Sequence, residues 1–514
     1  MLLTFLLLTP FITGVLCGLC PQKKVLDRLN ITGASLMLIL GLSLFREVLV
    51  QGVVTGSGDS LVSFLTLRAD ALSAVLILII SILGFLTSLY SLGYMGREIE
   101  ESLVDLRKLR RYYFLLHLFI FTMLLVCVTD NLGILWIAIE ATTLASAFLV
   151  AFYGHEHALE AAWKYIILCT VGIAFALFGT IFVYLASVNL LDTAEQTKYA
   201  LNWSYLVGVA SKLDPRFMKL AFLFILVGYG TKAGLAPMHT WLPDAHSQAP
   251  TPISALLSGV LLNCALYGLI RFHILVTRSV GPDFSGHLLL LFGIFSLAIA
   301  TPFILVQNNY KRLLAYSSME HIGIITIGLG FANALGIYGA LLHLFNHAIT
   351  KALMFLTVGN VRLKYKTTKI DKLRGGVLHV MPLTGTLLLI GMLGLAGVPP
   401  FSIFLSEFTI LSAGFAGTGT YGRRSFLASL LFLSFITCIF AGLVYHIARM
   451  AFGVPPERIP QGEVSLWTLV PLGVLAFLAG LLGFHIPETL NAMILKTVEI
   501  VGGHDMMAVL LQQK

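Results

Sequence analysis

The segment Gly228-Tyr-Gly-Thr-Lys232-Ala-Gly-Leu-Ala-Pro237 decides the fold, because it places a lysine and a proline at the end of a long apolar run. The run covers residues 217–236, and about 20 apolar residues suffice for a helix to cross the hydrocarbon core of a membrane. Pro237 removes a backbone hydrogen bond and therefore predicts a break in this helix. A broken helix is tolerated at membrane depth only where it is buried in protein or lines a water-filled cavity. The segment therefore predicts a membrane protein with an ion or substrate path.

The composition of the whole chain is that of a membrane protein. Of its 514 residues, 58% are hydrophobic and only 11% are charged, whereas soluble domains carry roughly 25% charged residues. So few charges cannot cover the surface of a soluble protein of this length. They also exclude intrinsic disorder and nucleic-acid binding, because both require abundant polar or basic residues.

Fourteen apolar runs are long enough to cross a membrane, and an amphipathic tail follows at 488–501. We therefore predict an all-α polytopic membrane protein with about 14 transmembrane helices. The first run has neither a basic start nor a small-residue cleavage site, so we interpret it as a span and not as a signal peptide. The runs are 1–20, 31–51, 69–95, 112–129, 131–152, 163–188, 217–236, 251–275, 286–307, 311–332, 335–359, 382–412, 424–451 and 466–486.

The distribution of lysine and arginine predicts the orientation in the membrane. Of the 33 basic residues, 18 fall on one side of the predicted spans, 11 on the other side and four within spans. Connections rich in lysine and arginine favour the cytoplasmic side. The bias therefore predicts that both termini lie outside, and it makes the net charge of +8 a topology signal.

Two pairs of segments repeat along the chain. Lys164-Tyr-Ile-Ile-Leu-Cys-Thr-Val-Gly172 resembles Lys351-Ala-Leu-Met-Phe-Leu-Thr-Val-Gly359, and Gly234-Leu-Ala-Pro237 resembles Gly397-Val-Pro-Pro400. The two copies in each pair are five predicted spans apart, so they cross the membrane in opposite directions. This pattern is typical of an inverted repeat, and paired helix breaks in the two copies indicate an ion or substrate path.

Several ionisable residues lie inside or beside the predicted spans. A charge at the centre of a membrane helix costs roughly 2.5–3.5 kcal/mol on insertion scales, so it usually has a partner or a function. Within the eleventh span, one helix face carries three titratable groups at a spacing of four residues. The candidates for a proton or cation path are Glu140, Lys164, Lys232, His239, His321, His343, His347, Lys351 and Glu407.

Some of these residues have a simpler interpretation. Lys164 is near the end of a span, from which a long side chain can extend to the membrane surface. His239, Asp244 and His246 follow the first helix break. They are either polar loop residues or residues that line a water-filled entrance to the path. His117 is a separate histidine within a span, and a role in helix packing is its simpler interpretation.

Glu140 and Lys232 are the charges that packing explains least well. At an effective dielectric constant near 20, opposite charges about 4 Å apart interact by about 4 kcal/mol. Opening and closing such a contact would release and load a proton, and histidines suit the intermediate positions of a relay. We therefore predict a switchable ion pair between Glu140 and Lys232. We also predict a horizontal path that continues from this pair through Asn263 and His321 to the His343/His347 face and Glu407.

The six cysteines are scattered along the chain, and only Cys17 and Cys20 are close to each other. A metal or iron–sulfur site needs about four ligands at set spacings. We therefore expect no cofactor, metal or redox centre in this chain.

Three segments resemble one known family. They are Gly230-Thr-Lys-Ala-Gly-Leu-Ala-Pro-Met-His-Thr-Trp-Leu-Pro-Asp-Ala-His-Ser-Gln-Ala-Pro-Thr-Pro-Ile-Ser254, Lys311-Arg-Leu-Leu-Ala-Tyr-Ser-Ser-Met-Glu-His-Ile-Gly323 and His343-Leu-Phe-Asn-His-Ala-Ile-Thr-Lys-Ala-Leu353, the last of which is followed by Gly359-Asn-Val-Arg-Leu-Lys-Tyr365. The family comprises the antiporter-like proton-pumping membrane subunits of respiratory complex I, Mrp antiporters and group 4 membrane-bound hydrogenases. Within it, these segments are most similar to the F component of hydrogenase-4.

The resemblance implies fourteen core helices with two inverted five-helix repeats, in which helices 7 and 12 are broken. It implies residues 1–111 for helices 1–3, 112–275 for the first repeat (helices 4–8), 286–451 for the second repeat (helices 9–13) and 452–514 for helix 14 and the tail.

The resemblance also assigns roles. It implies that Glu140 is the glutamate of helix 5, Lys232 the lysine of helix 7, His321 and His347 relay groups of helices 10 and 11, and Glu407 the terminal group of helix 12. Asn263 departs from many complex I relatives, which carry a lysine there. An asparagine cannot titrate. Its amide either orients a bridging water between Lys232 and His321 or forms an ordinary packing hydrogen bond between membrane helices.

The function implied is translocation of protons, with sodium as the alternative ion, by a membrane subunit of a redox-driven complex of the hydrogenase-4 or complex I type. The resemblance implies a prokaryotic inner-membrane protein with other membrane subunits and a peripheral hydrogenase-like or quinone-reducing arm as partners. These partners would hold a nickel–iron centre and iron–sulfur clusters. The alternatives are a subunit of an Mrp-type cation/proton antiporter without redox coupling, and a redox enzyme that itself binds quinone.

Overall fold

The computed structural model of the chain is almost entirely helical. It describes all residues except 57–65, 189, 191–198, 374, 418, 456–458 and 504–514, and it does not describe the side chains of 419–421. Lys198, Arg374, Arg458 and Lys514, which contribute to the charge bias, lie outside the described residues.

The helices of the first half are numbered to match the predicted spans. Helices α1 to α6 are Leu2–Leu19, Lys23–Gln51, Ala71–Glu100, Leu106–Val128, Leu132–Val150 and Glu156–Val188. Helix α7 consists of two pieces, α7a (Pro215–Ala233) and α7b (Trp241–Gln248). Helix α8 is Thr251–Val280 and contains a π-helical turn at Leu257–Leu261.

The helices of the second half follow the same order. Helices α9 to α11 are Pro282–Val306, Tyr310–Gly330 and Ala334–Tyr365. Helix α12 again has two pieces, α12a (Pro382–Leu395) and α12b (Ser402–Phe415), and α13 to α15 are Gly419–Ala451, Leu466–Phe484 and Glu488–Gly502.

Short elements occur in the connections. The short helices are Trp203–Val209, Ala210–Lys212, Ile370–Leu373 and Val377–Val380. Two strands, Val54–Thr55 and Arg68–Ala69, form an antiparallel pair.

Twelve of the described helices are long and apolar enough to cross a membrane, which confirms the predicted class of all-α membrane protein. The two other predicted spans are the ones divided into pieces, at the two predicted breaks. The exact number of fourteen crossings stays a prediction, as do the predicted domain limits.

The break in α7 is stabilised by one side chain of α7b and one of α9. Gly234 ends α7a with a φ of 81°, in the left-handed region that favours glycine. The Trp241 indole donates a hydrogen bond to the Thr231 carbonyl at 2.8 Å, and the Ala236 N–H donates to the Ser296 hydroxyl at 3.0 Å. Backbone groups freed by the break are therefore satisfied inside the protein, as a membrane interior requires.

The three helices that carry Asn263, His321, His343 and His347 lie in the interior of the protein. The most apolar stretches of α8, α10 and α11 are entirely buried inside the protein, whereas less than two-fifths of the residues in those of α1, α2, α13 and α14 are buried. Helix α11 packs against α10, α12b and the start of α8. This arrangement brings residues from several helices together at the centre of the chain.

Candidate functional site

The amine of Lys232 is held at the end of α7a by two hydroxyl groups. It donates hydrogen bonds of 2.7 Å to Thr143 of α5 and of 2.7 Å to Tyr165 of α6. It also lies 4.6 Å from the centre of the Tyr165 ring, within the range of a cation–π contact. Lys232 is fully buried, and Gly234 ends its helix two residues later.

Glu140 is connected to Lys232 through Thr143. The Thr143 hydroxyl donates to one carboxylate oxygen of Glu140 at 3.4 Å, and the Thr170 hydroxyl donates to the other at 2.8 Å. Among the described residues, Glu140 forms no salt bridge with Lys232. The predicted direct contact is therefore not formed in this structure, because the Thr143 side chain lies between the two charges. We call these four residues, Glu140, Thr143, Tyr165 and Lys232, the lysine cluster.

Glu140 lies at the outer face of the protein. It is half-buried, and Thr170, which binds it, is exposed. Apolar side chains surround this position on the same outer face, including Ile137 (51% exposed), Leu144 (52%) and Val171 (55%). A carboxylate on an apolar membrane-facing surface is costly without a partner.

Lys164 lies apart from the lysine cluster. It is exposed, and its amine contacts Glu160 at 2.6 Å and Asp244 at 3.4 Å. The adjacent residue Tyr165 binds Lys232 instead. Successive side chains on a helix point about 100° apart, so neighbours in sequence face different surroundings. The structure thus places Lys164 at the surface.

The residues after the first break divide into a surface group and a buried group. Asp244 forms ion pairs with Lys164 and with Arg312, the latter at 3.1 Å. His239 and His246 are both buried, and His246 Nδ1 hydrogen-bonds to the Leu242 carbonyl at 2.9 Å. These histidines are therefore enclosed by protein, whereas Asp244 is half-buried and pairs with the exposed side chains of Lys164 and Arg312.

Asn263 lies beside the π-helical turn of α8. Its amide nitrogen donates to the Gly259 carbonyl at 2.9 Å and to the Leu344 carbonyl of α11 at 3.4 Å. Its amide oxygen is buried and has no hydrogen-bond partner among the described residues. Asn263 therefore contacts α11 one residue after His343. π-Helical turns often occur at functional sites.

Three histidines meet at the centre of the second half, and we call His321, His343 and His347 the histidine cluster. His321 Nδ1 and His343 Nε2 are 3.0 Å apart, and His343 Nδ1 hydrogen-bonds to the Ser406 hydroxyl of α12b at 2.9 Å. The rings of His321 and His347 are centred 5.2 Å apart. All three histidines are fully buried, and they share one interior position on α10 and α11.

Lys351 completes the titratable face of α11. It is fully buried, and its amine donates to the Leu314 carbonyl at 3.1 Å. Unlike the histidines, it is held by the backbone of α10 and not by another titratable side chain.

Glu407 lies where the interior meets an apolar cavity of about 450 Å³ between α12b and α13. Glu320 lines the same cavity, and both carboxyl groups are more than nine-tenths buried. Most of the other lining residues are apolar, among them Phe404, Phe408 and Leu433. The cavity thus has two acidic side chains at its polar end.

One group of donors has the geometry for a metal. The ligand atoms of His321, His343 and Glu407 lie within 4.8 Å of one another. Two imidazoles and a carboxylate are common zinc ligands. The same two imidazoles are hydrogen-bonded to each other, an arrangement that also suits proton transfer, so the donor set alone does not assign a metal.

No direct side-chain hydrogen bond joins the lysine cluster to Asn263 or to the histidine cluster within the described part of the chain. The helices that carry them are in contact, since α7a packs against α8. Several buried polar atoms between them lack protein partners, namely Asn263 Oδ1, His321 Nε2 and both ring nitrogens of His347. Buried polar atoms of this kind are usually satisfied by water.

Three residues in contact with the candidates were not predicted from the sequence. Thr143 lies three residues after Glu140, and this spacing puts both on one helix face, which is a signal that the sequence contains. Tyr165 is adjacent in sequence to Lys164, and its hydroxyl binds Lys232. Ser406 is adjacent to Glu407, and its hydroxyl binds His343.

His117 is separate from both clusters. Its Nε2 hydrogen-bonds to Asn30 at 3.0 Å, between α4 and α2. This contact fits a role in helix packing.

The family follows from comparison with known proteins. The family model described as NADH:quinone oxidoreductase/Mrp antiporter, TM, matches residues 129–437, more than half of the chain. The chain belongs to this family. A second model, described as NADH-Ubiquinone oxidoreductase (complex I), chain 5 N-terminus, matches residues 57–103 of this antiporter-like protein.

A curated relative supports the subfamily resemblance. The Hydrogenase-4 component F homolog of Methylacidiphilum infernorum (isolate V4) is 40% identical to this antiporter-like protein over 386 residues, which cover 75% of this chain and 79% of the relative. The predicted similarity to the F component of hydrogenase-4 is thereby confirmed.

Two solved structures share the fold. A chain of the membrane-bound sulfane sulfur reductase, described as an archaeal respiratory membrane complex, has a TM-score of 0.82 and 25% identity, with coverage of 98% of this chain and 99% of that chain. A chain of the Mrp complex from Dietzia sp. DQ12-45-1b has a TM-score of 0.84 and 18% identity, with 99% of each chain covered. The chain is therefore an antiporter-like membrane subunit whose architecture is consistent with ion translocation.

Proposed function

We propose that this antiporter-like subunit conducts protons as part of a redox-driven membrane complex of the hydrogenase-4 or complex I type, with sodium as the alternative ion. The observation that carries the proposal is the hydrogen-bonded connection from Lys232 through Thr143 to Glu140, beside a break in α7. A buried lysine bound only by hydroxyl groups can exchange a proton through them, because each hydroxyl both accepts and donates.

The proposed path has two parts. The first is the lysine cluster, which ends at Glu140 on the outer face of α5. The second begins at Asn263, crosses the histidine cluster and ends at Glu407 beside the apolar cavity. Water would join the two parts, because the buried polar atoms between them need hydrogen-bond partners. Lys351 is on the same helix as His343 and His347, and His239 remains a candidate at the first helix break, whereas Lys164 and Asp244 form a separate ion-paired group.

A neighbouring membrane subunit would cover the outer face around Glu140. The carboxylate is half-buried among exposed apolar side chains, and such a charge needs a partner away from lipid. We propose that the partners also include a peripheral hydrogenase-like or quinone-reducing arm. The nickel–iron centre and iron–sulfur clusters would be in those subunits, with no cofactor in this chain.

We propose the orientation in the membrane from the distribution of basic residues. The excess of basic residues in one set of connections supports a cytoplasmic location for that set in a prokaryotic inner membrane, with both termini outside.

The proposal is tested with Glu140→Gln in the intact complex. The amide keeps the size and one acceptor but cannot take up a proton, so we expect normal assembly and a loss of about tenfold or more in reductant-driven ion pumping. Pumping is measured by dye quenching in inverted vesicles. Glu156→Gln is the control, because Glu156 is exposed at the start of α6. Undiminished pumping by the assembled Glu140 variant would contradict the path.

The alternative is an Mrp-type cation/proton antiporter, because a chain of the Dietzia Mrp complex has the same fold. Purification of the native complex and identification of its subunits distinguish the two. A subunit set that includes a redox arm supports the first proposal. A set of small membrane subunits alone, with sodium/proton exchange driven by an imposed gradient, supports the antiporter.

A further inference from the structure

A second cavity, lined by none of the candidate path residues, combines basic and apolar side chains. It has a volume of about 480 Å³ and lies between the end of α1 and the start of α4. Three of its lining residues are the arginines Arg107, Arg110 and Arg111. The walls beside them are apolar, from Leu19 of α1 and Phe114 of α4, and Leu19 is 71% exposed.

Arg110 has a structural role in this cavity. Its Nε donates a hydrogen bond of 3.1 Å to the Gly18 carbonyl, near the end of α1. Basic side chains commonly bind the free carbonyl groups at the end of a helix. This bond fixes one wall of the cavity and leaves the other two arginines available to a ligand.

Arg107 and Arg111 are exposed positive side chains at the rim of the cavity. Neither forms a salt bridge among the residues that the structure describes. They are four residues apart, so they lie on the same face of α4, where like charges repel each other. Asp105, the nearest acid in sequence, caps α4 by accepting the Lys108 N–H at 2.7 Å, and its attraction to the Arg107 charge is screened by solvent because Asp105 is exposed. The cavity itself has no acidic residue among its described lining.

We infer that this cavity binds the phosphate headgroup of an anionic phospholipid, with an acyl chain along Leu19 and Phe114. Guanidinium groups match phosphate oxygens in planar, two-bond geometry. Basic pockets between membrane helices at the cytoplasmic boundary bind anionic headgroups in this way. The apolar walls distinguish a lipid from a free phosphate ion, which would leave them unused. The inference does not depend on the ion path.

The test uses the full-length chain in its native complex, delipidated and reconstituted with defined lipid. Phosphatidylglycerol should raise the thermal midpoint above that in phosphatidylcholine and should be retained through purification. Arg107→Gln/Arg111→Gln should weaken retention by about 30-fold, which corresponds to about 2 kcal/mol for the two basic residues together. Arg110 is left unchanged because it binds Gly18.

The matched control is Lys23→Gln/Lys24→Gln. These lysines are exposed at the start of α2, and neither lines the cavity, so the control removes the same charge from outside the site. Retention of phosphatidylglycerol by the control and its loss from the arginine variant support the site. Equal loss from both variants, unchanged binding in the arginine variant, or full stabilisation by inorganic phosphate alone would overturn it.

Discussion

The Lys232 amine donates a hydrogen bond of 2.7 Å to the hydroxyl of Thr143, and the same hydroxyl donates to Glu140. Thr143 is fully buried. A hydroxyl in this position can accept a proton from one neighbour while it releases its own to the other. The two charges are thus coupled through one side chain, and a direct ion pair is not required.

Thr143→Val should separate Lys232 from Glu140, because valine keeps the shape of threonine and lacks the hydroxyl. We expect ion pumping by the assembled complex to fall about tenfold, equivalent to about 1.4 kcal/mol in the rate-limiting barrier. Thr143→Ser should restore most of the activity, because the hydroxyl returns. Pumping per assembled complex, measured in inverted vesicles, checks both variants.

The neighbouring Thr142 provides the control for this substitution. It is also fully buried on α5, but its hydroxyl binds the Ile139 carbonyl of its own helix. Thr142→Val should therefore pump normally. If Thr142→Val and Thr143→Val lose the same activity, the effect comes from packing of α5 and the threonine relay is wrong.

His321→Gln should interrupt the second part of the path. Glutamine can still hydrogen-bond near His343, which is 3.0 Å away in the wild type, but it cannot carry a proton at neutral pH. We expect a loss of about tenfold or more in pumping with assembly preserved. The same vesicle assay, normalised to the amount of assembled complex, measures this loss.

His117→Gln is the comparison for the histidine cluster. His117 is equally buried, and its hydrogen bond to Asn30 lies between α4 and α2. The His117→Gln variant should assemble and pump like the wild type. Normal pumping by His321→Gln would remove the histidine cluster from the relay.

Gly234→Ala should destabilise the break in α7. The residue has a φ of 81°, and a Cβ there would lie 2.3 Å from Leu242 Cδ1. The left-handed conformation alone costs a non-glycine residue roughly 1–2 kcal/mol. We expect a lower thermal midpoint of the purified complex. Gly230→Ala, where the nearest atom to the Cβ would be 3.5 Å away, should be tolerated, and equal destabilisation of both would show that the break is not the cause.

Much of the fold could be predicted because the relevant signals are local. An apolar run, a glycine and a proline within a few residues suffice to predict a divided helix, and both predicted breaks occur, at Gly234 and Gly397. The burial of Lys232 and of the histidine cluster also follows from charges placed inside apolar helices.

The contacts between helices could not be predicted in the same way. Sequence periodicity shows which side of a helix is polar, but it does not show which other helix faces that side. Lys164 repeats the position of Lys351 in the sequence, yet Lys164 is exposed and Lys351 is buried. Their surroundings differ because α6 lies at the outer face of the protein, whereas the apolar stretch of α11 is entirely buried. Likewise, only the three-dimensional arrangement shows that Thr143 lies between Glu140 and Lys232.

Asn263 provides a test of the region between the two clusters, because it is the one candidate that cannot titrate. Its amide nitrogen already binds two carbonyl groups, of Gly259 and Leu344, and its buried oxygen is left to accept a hydrogen bond. A water bound to this oxygen would lie on the α8 side of the histidine cluster. The expected role is therefore orientation of water for a proton that passes from Lys232 to His321.

Asn263→Leu should remove the polar lining at this point and slow pumping by about tenfold, while the loss of an interhelical hydrogen bond costs only about 0.6 kcal/mol of stability. Asn263→Lys should retain more activity than the leucine variant, because the surrounding carbonyl groups and histidines can bind an amine.

Asn360→Leu is the control, since Asn360 is a buried asparagine that binds Tyr90 and Thr384 away from the histidines. It should lower the thermal midpoint of the complex without changing pumping per assembled complex. Wild-type pumping by Asn263→Leu would mean that the proton does not pass this part of α8, and the connection between the two clusters would then have to run along α7b and His246.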